Sequence, residues 1–279
     1  MRNHKPGPFD DRRDLLTVKR ATDGFGWRVY GLGVIALAAV CLGWGGFDPG
    51  QPVPGTFPGR TGLALAAAAF MLAAGAAVEW RRTAAWGAAA LATYYALVVV
   101  IWMNGRVVLA HSAEFGAYSG AAEQLAIAAG GLIVCAGSAR IEAKLAARLT
   151  RLGQAVFGLC AILFGGAHFF YMSLTAPLVP KWLPPTQEFW AYATGIGHIA
   201  AGVAILAGVQ GRLAAILLTV MFACFGLLVH APMAVADPSS HMIWAENALN
   251  LALTGVAWVV ADSFSRPRRR PGDPVGATD

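Results

Sequence analysis

Long apolar blocks alternate with short polar stretches along this chain. Eight blocks of about 18–22 residues are each long enough to cross a ~30 Å hydrocarbon core as a helix. They predict spans at residues 29–47, 61–79, 83–103, 119–138, 152–173, 188–208, 212–232 and 243–262. No alternating strand pattern interrupts them. The expected fold is all-α: a polytopic membrane protein of eight transmembrane helices.

The blocks divide into two sets of four. Arg28-Val29-Tyr30-Gly31-Leu32-Gly33-Val34-Ile35 corresponds to Ala155-Val156-Phe157-Gly158-Leu159-Cys160-Ala161-Ile162, and Pro52-Val53-Pro54 to Leu178-Val179-Pro180. Ala122-Glu123-Gln124 likewise matches Ala245-Glu246-Asn247. Four spans is an even number, so the second set enters the membrane in the same sense as the first. The repeat is therefore parallel, about an axis along the membrane normal. The predicted organisation is an N-terminal tail 1–28, a first four-helix bundle 29–138, a basic linker 139–151, a second bundle 152–262 and a C-terminal tail 263–279.

Charge fixes an orientation. All but three (Arg60, Arg106 and Lys181) of the 21 Lys and Arg fall in the tails and in the connections after the second, fourth and sixth spans. Basic loops resist translocation, so both termini are expected in the cytoplasm, with the chain multi-pass in the inner (plasma) membrane. The basic N-terminal stretch lacks the short apolar core and cleavage site of a secretory signal, so the first span reads as an uncleaved helix. Trp182, Trp190 and Trp244 fall where an outer aromatic belt would lie. With 57% apolar and 13% charged residues and a mean hydropathy of +0.57, the composition excludes a sizeable soluble domain. It also removes nucleic acid as the reason for the +6 net charge; the expected partner is the lipid bilayer. Cys41, Cys135, Cys160 and Cys224 all fall in spans without a C-x-x-C spacing and read as small apolar fillers.

Ionisable groups are costly in hydrocarbon and mark function when present. His168, His198 and His230 lie in spans of the second set, where Glu246 opens the last span and Asn250 follows; Tyr171 is one turn from His168. All belong to the outer half of one bundle. They predict an outward-facing ligand cavity lined by His168, Tyr171, Trp182, His198, His230, Glu246 and Asn250, with Trp182 and Trp190 closing its mouth. His198, His230 and Glu246 are the candidates for proton exchange, an imidazole bonding a ligand carbonyl while Glu246 orients it. A metal set of His168, His198 and His230 is a weaker alternative, because no H-x-x-H spacing supports it. Each histidine could also simply satisfy a neighbouring carbonyl and join helices. The matching first-half positions are Cys41, Leu72, Asn104 and Glu123, which read as a scaffold or a different pocket, with Asn104 and Glu123 paired. Glu79, beside Arg81 and Arg82, reads as a surface charge.

Residues 152–262 resemble the DoxX-like family of small four-helix membrane proteins. The resemblance rests on Gly166-Ala167-His168-Phe169, on Leu178-Val179-Pro180-Lys181-Trp182-Leu183-Pro184, on Phe189-Trp190, and on Thr194-Gly195-Ile196-Gly197-His198 with Gly202 beyond. It departs from the family at His198, where a glutamate is common. The resemblance implies a subunit of, or accessory to, a membrane redox system, with quinone as the ligand class and a redox protein as partner. No flavin, haem or iron–sulfur motif is present, so a quinone or a partner would carry electrons. A small-molecule transporter or exporter is the rival; broken helices at matching positions would favour it, whereas no proline is expected inside a span. A ligand-free accessory of a membrane complex is the third reading.

Overall fold

The computed structural model describes residues 24–265. Most of both predicted tails lies outside the described residues. Among the described residues, eight helices are long and apolar enough to cross a membrane: α1 Gly26–Trp44, α2 Arg60–Val78, α3 Ala84–Ala110, α4 Phe115–Ser138, α5 Ala143–Phe170, α6 Gln187–Ala207, α7 Gly211–Ala236 and α8 His241–Ser263. The chain is an all-α multi-pass membrane protein. An even number of crossings returns the end of α8 to the side on which α1 begins.

Two boundaries differ from the sequence expectation. The segment 139–151 is not a free linker, since α5 begins at Ala143 and residues 139–142 alone connect it to α4. Alanine, leucine, lysine and arginine are strong helix formers, so the basic stretch continues the helix out of the membrane. Arg151 also has a packing role there. Its guanidinium donates to Ile205 O at 2.9 Å and to Leu206 O, capping the last carbonyls of α6. At the other end of the chain, α7 runs past residue 232 to Ala236, which places Pro232 inside it.

The packing follows a two-fold pattern. Within the first half α1 packs on α2, α2 on α3 and α3 on α4; the second half repeats this with α5 to α8. Between halves, α1 packs on α8 as α5 packs on α4, and α4 meets α8 at the centre. The halves are therefore not two self-contained bundles, because each first helix leans on the other half's last. In lipid this association depends on close backbone approach. A Cβ on Gly255 would lie 2.2 Å from Tyr30 N, and one on Gly33 would lie 2.4 Å from Ala252 Cα. Tyr30 itself crosses to α4, where its hydroxyl donates to Ile127 O at 3.2 Å.

The third helix of each half changes pitch. Residues Tyr94–Asn104 of α3 and Gly226–His230 of α7 are π-helical, and Gly105 N–H and Ala231 N–H reach back five residues to Val100 O and Gly226 O. Such segments leave carbonyls out of the regular ladder. An asparagine amide bonds a carbonyl of the third helix in each half: Asn104 Nδ2 donates to Val99 O and Asn250 Nδ2 to Phe222 O, both at 3.0 Å. Phe222 O also accepts the Gly226 N–H. Pro232, which has no N–H to donate, follows directly in α7.

At the ends away from the chain termini the two halves differ. In the first, the α1–α2 loop is drawn inward, with Phe47, Asp48, Gln51 and Val53 buried. Gln51 donates to Met71 Sδ and accepts from Tyr94 Oη, Asn104 donates to Gly50 O, and Arg60 and Arg106 hold the carbonyls of Val53 and Pro52. This plug fills the first bundle. Asp48 is the cost within it: burial pushes its carboxyl up to about 6, opposed by the Gly50 N–H that donates to Oδ1 at 2.8 Å. A carboxyl whose folded pKa is raised holds its proton more tightly in the folded protein. Stability is then highest below about pH 4 and falls as pH rises through 6, by up to about 3 kcal/mol. Asp48→Asn keeps the acceptor oxygen. Its thermal midpoint should exceed wild type at pH 7 and coincide with it near pH 4; a variant less stable at pH 7 would contradict the assignment.

Candidate functional site

In the second half the corresponding loop stays at the rim, and the space beneath it is open. A cavity of about 680 Å³ lies among α5, α6, α7 and α8, with α4 closing one side. That size suits a drug-sized molecule. Thr186 starts α6 by accepting Phe189 N–H, and Gln187 ties the loop through Pro177 O and Val179 O. Trp190 stands at the rim, its Nε1 donating to Pro184 O at 2.8 Å.

Of the seven ligand residues expected from the sequence, His168, His198, His230, Glu246 and Asn250 line this cavity. Tyr171 and Trp182 do not. Tyr171 ends α5, and its hydroxyl accepts the Gly116 N–H at 2.7 Å, capping α4. Trp182 is 70% exposed and does not line the cavity, so Trp190 is the tryptophan at the mouth. Asn250 has spent one amide N–H on Phe222 O.

His198 is the most constrained member. It is 1% exposed at the middle of α6 and packs among Phe164, Phe222, Phe225 and His168, with ring centroids 5.3–6.1 Å away. Its Nδ1 lies 3.0 Å from Thr194 O. A carbonyl only accepts, so in the neutral ring Nδ1 carries the proton and Nε2 is an acceptor. That Nε2 is buried without a hydrogen-bond partner. His168 repeats the arrangement, with Nδ1 donating to Ala191 O at 3.1 Å beside Thr194 Oγ1 at 3.2 Å. His198 thus offers an acceptor, which corrects the expectation that it would bond a ligand carbonyl, and His168 offers one likewise. His230, the other candidate for that bond, lines the cavity with no hydrogen-bond partner among the described residues. The site calls for a ligand that brings a hydrogen-bond donor. Glu246 is not bonded to either ring, so it does not orient them.

Glu123 is the residue that sequence reasoning misplaced. It belongs to the first half, yet it faces this cavity from α4 together with Ser119. Asn104, expected to pair with it, instead bonds Gly50 O and Val99 O. Glu123 and Glu246 hold equivalent places in the repeat, and α4 meets α8 at the two-fold centre, so both carboxyls come to one chamber. Among the described residues, no group of three His, Cys, Asp or Glu side chains is placed to hold a metal ion, so the His168, His198, His230 metal set has no geometric support. Cys224 lines the cavity; the other three cysteines do not, and all four are free thiols. Glu79 is not a simple surface charge: Oε1 is buried against Gly31 without a hydrogen-bond partner, and burial raises its carboxyl against the effect of Arg28.

Residues 157–261 match a family described as a domain of unknown function (DUF8561). All cavity-lining residues except Ser119 and Glu123 lie within that match. No curated protein matches the chain. No solved structure matches it either.

Proposed function

We propose that the protein holds a small, ring-bearing lipophilic molecule of the quinone/quinol class in the second-half cavity, as a subunit of or accessory to a membrane redox system. The observation that carries this reading is the unpartnered Nε2 of His198 within an aromatic, largely apolar chamber. Leaving a buried acceptor unpaired costs about 1–3 kcal/mol, and a quinol hydroxyl meets it. The DoxX-like motifs of residues 166–198 support the redox setting, and the same reading puts the chain in the inner membrane with its Arg-rich ends in the cytoplasm. A quinone carbonyl cannot donate, so binding should favour the reduced form. Titrating the purified protein with decylubiquinol and decylubiquinone, read by quenching of tryptophan, should show the quinol bound about tenfold more tightly. Equal affinities would remove His198 as the acceptor.

A second reading, transport, is favoured by one observation: the matching π-helical segments in α3 and α7, with Pro232 beside the latter. Pitch changes at equivalent places give each half a joint about which helices swing. Proteoliposomes loaded with a substrate gradient separate the two, since a binding accessory dissipates none.

A further inference from the structure

The quinol reading uses the histidine wall and leaves the opposite wall unexplained. Glu123 and Glu246 face the chamber from α4 and α8, and no hydrogen bond or ion pair ties either carboxyl to another described residue. No lysine or arginine is among the lining residues. Glu123 is half-buried and Glu246 exposed; a carboxylate pair on a chamber wall with no basic side chain beside it attracts a cation. Across the space, Phe164, Phe222 and Phe225 present aromatic rings of the kind that attract cations. His198 Nε2, almost fully buried and unpartnered, adds an acceptor. Glu123, Glu246 and His198 Nε2 are thus acids or an acceptor, and a protonated amine satisfies both. His230, which lines the chamber without a hydrogen-bond partner among the described residues, offers one N–H and one acceptor.

We propose that the chamber takes a lipophilic organic cation, a ring-bearing protonated amine, whose charge is met by Glu123 of one repeat and Glu246 of the other. Its N–H groups bond His198, and its ring lies among the phenylalanines. This rests on reading the cavity as a ligand chamber and goes beyond the quinol reading in the class of occupant. It also makes the first half a contributor to the site, through Glu123.

The test uses the full chain in detergent and two probes of one shape: 2-(2-naphthyl)ethylamine, protonated at pH 8, and the neutral 2-(2-naphthyl)ethanol. Equilibrium dialysis should show the ammonium bound about tenfold more tightly than the alcohol. In the Glu123→Gln/Glu246→Gln double variant that preference should fall to about one. Glu246→Asp, which keeps the charge, should retain it. If the alcohol binds as tightly as the ammonium, or the preference survives the double substitution, the cation inference is overturned while the chamber stands. Failure of both probes to bind would overturn the inference and the chamber together.

Discussion

Replacing His198 with leucine is expected to weaken quinol binding by about ten- to a hundredfold while leaving the empty protein as stable as wild type or more so. The two effects have opposite signs for one reason. In the empty protein His198 contributes an intrahelical bond from Nδ1 to Thr194 O and an Nε2 that bonds nothing. Losing the first costs little, because Thr194 O belongs to a helix turn. Losing the second relieves a buried acceptor, worth about 1–3 kcal/mol. Leucine is apolar and fits a space walled by Phe164 and Phe222. In the bound state the sign reverses, since the ligand's hydroxyl is then left without its acceptor. A parallel thermal scan and quinol titration check both halves of the claim. A variant that loses several degrees of thermal midpoint would show that Nε2 is partnered in the native protein.

The second large effect lies away from the chamber. Gly255→Leu is expected to separate α1 from α8 and to cost about 3 kcal/mol or more. The first atom of any side chain there would sit 2.2 Å from Tyr30 N and 2.4 Å from Tyr30 Cα. Those are backbone atoms, so no rotamer change makes room and the helices must part. Parting them also draws Tyr30 away from Ile127 O, which loosens α1 from α4. Since α1 on α8 is one of the contacts joining the halves, the second-half chamber should lose its ligand as well. Gly43→Ala is the control: nothing lies within 4 Å of its Cβ, and alanine is the better helix former. Size-exclusion profiles and thermal midpoints should show Gly43→Ala unchanged or slightly stabilised and Gly255→Leu polydisperse. A monodisperse Gly255→Leu with a wild-type midpoint would contradict the packing.

The spans were legible in the sequence because lipid imposes a length and a composition on every crossing. The histidines were legible for the same reason: a polar group at depth stands out against an apolar block. What escaped was whatever depended on contact between distant segments. Glu123 was assigned to its own half because repeat arithmetic treats each half as closed. The equivalence of Ala122-Glu123-Gln124 with Ala245-Glu246-Asn247 held the missing signal, since residues related by a two-fold axis meet when their helices meet at that axis. Tyr171 and Trp182 were placed by sequence proximity to His168 and to the V-P-x-W-L-P loop. The backbone turn after Phe170 instead directs Tyr171 at α4. The π-helical segments left no trace beyond Gly105, Gly226 and Pro232, residues that in a span are read as packing or as an end.

The halves differ in the loop after the first helix and in the residues at the matching helix positions. Gln51, Asp48 and their partners plug the first bundle, and arginines pin the plug in place. The second bundle has histidines where the first has Cys41, Leu72 and Asn104, and its loop remains at the rim. The first half thus closes one side of the chamber, and the second half holds it.

The account stands on that room being occupied by a donor-bearing ring compound held at His198. Wild-type protein and the His198→Leu variant, both extracted in mild detergent and matched for thermal midpoint, should be stripped with organic solvent and analysed by mass spectrometry for lipophilic compounds. The expected result is a ring compound bearing O–H or N–H groups, near one equivalent per chain in wild type and depleted at least tenfold in the variant. A wild-type protein that carries no such compound, or carries it equally in both, would contradict the account.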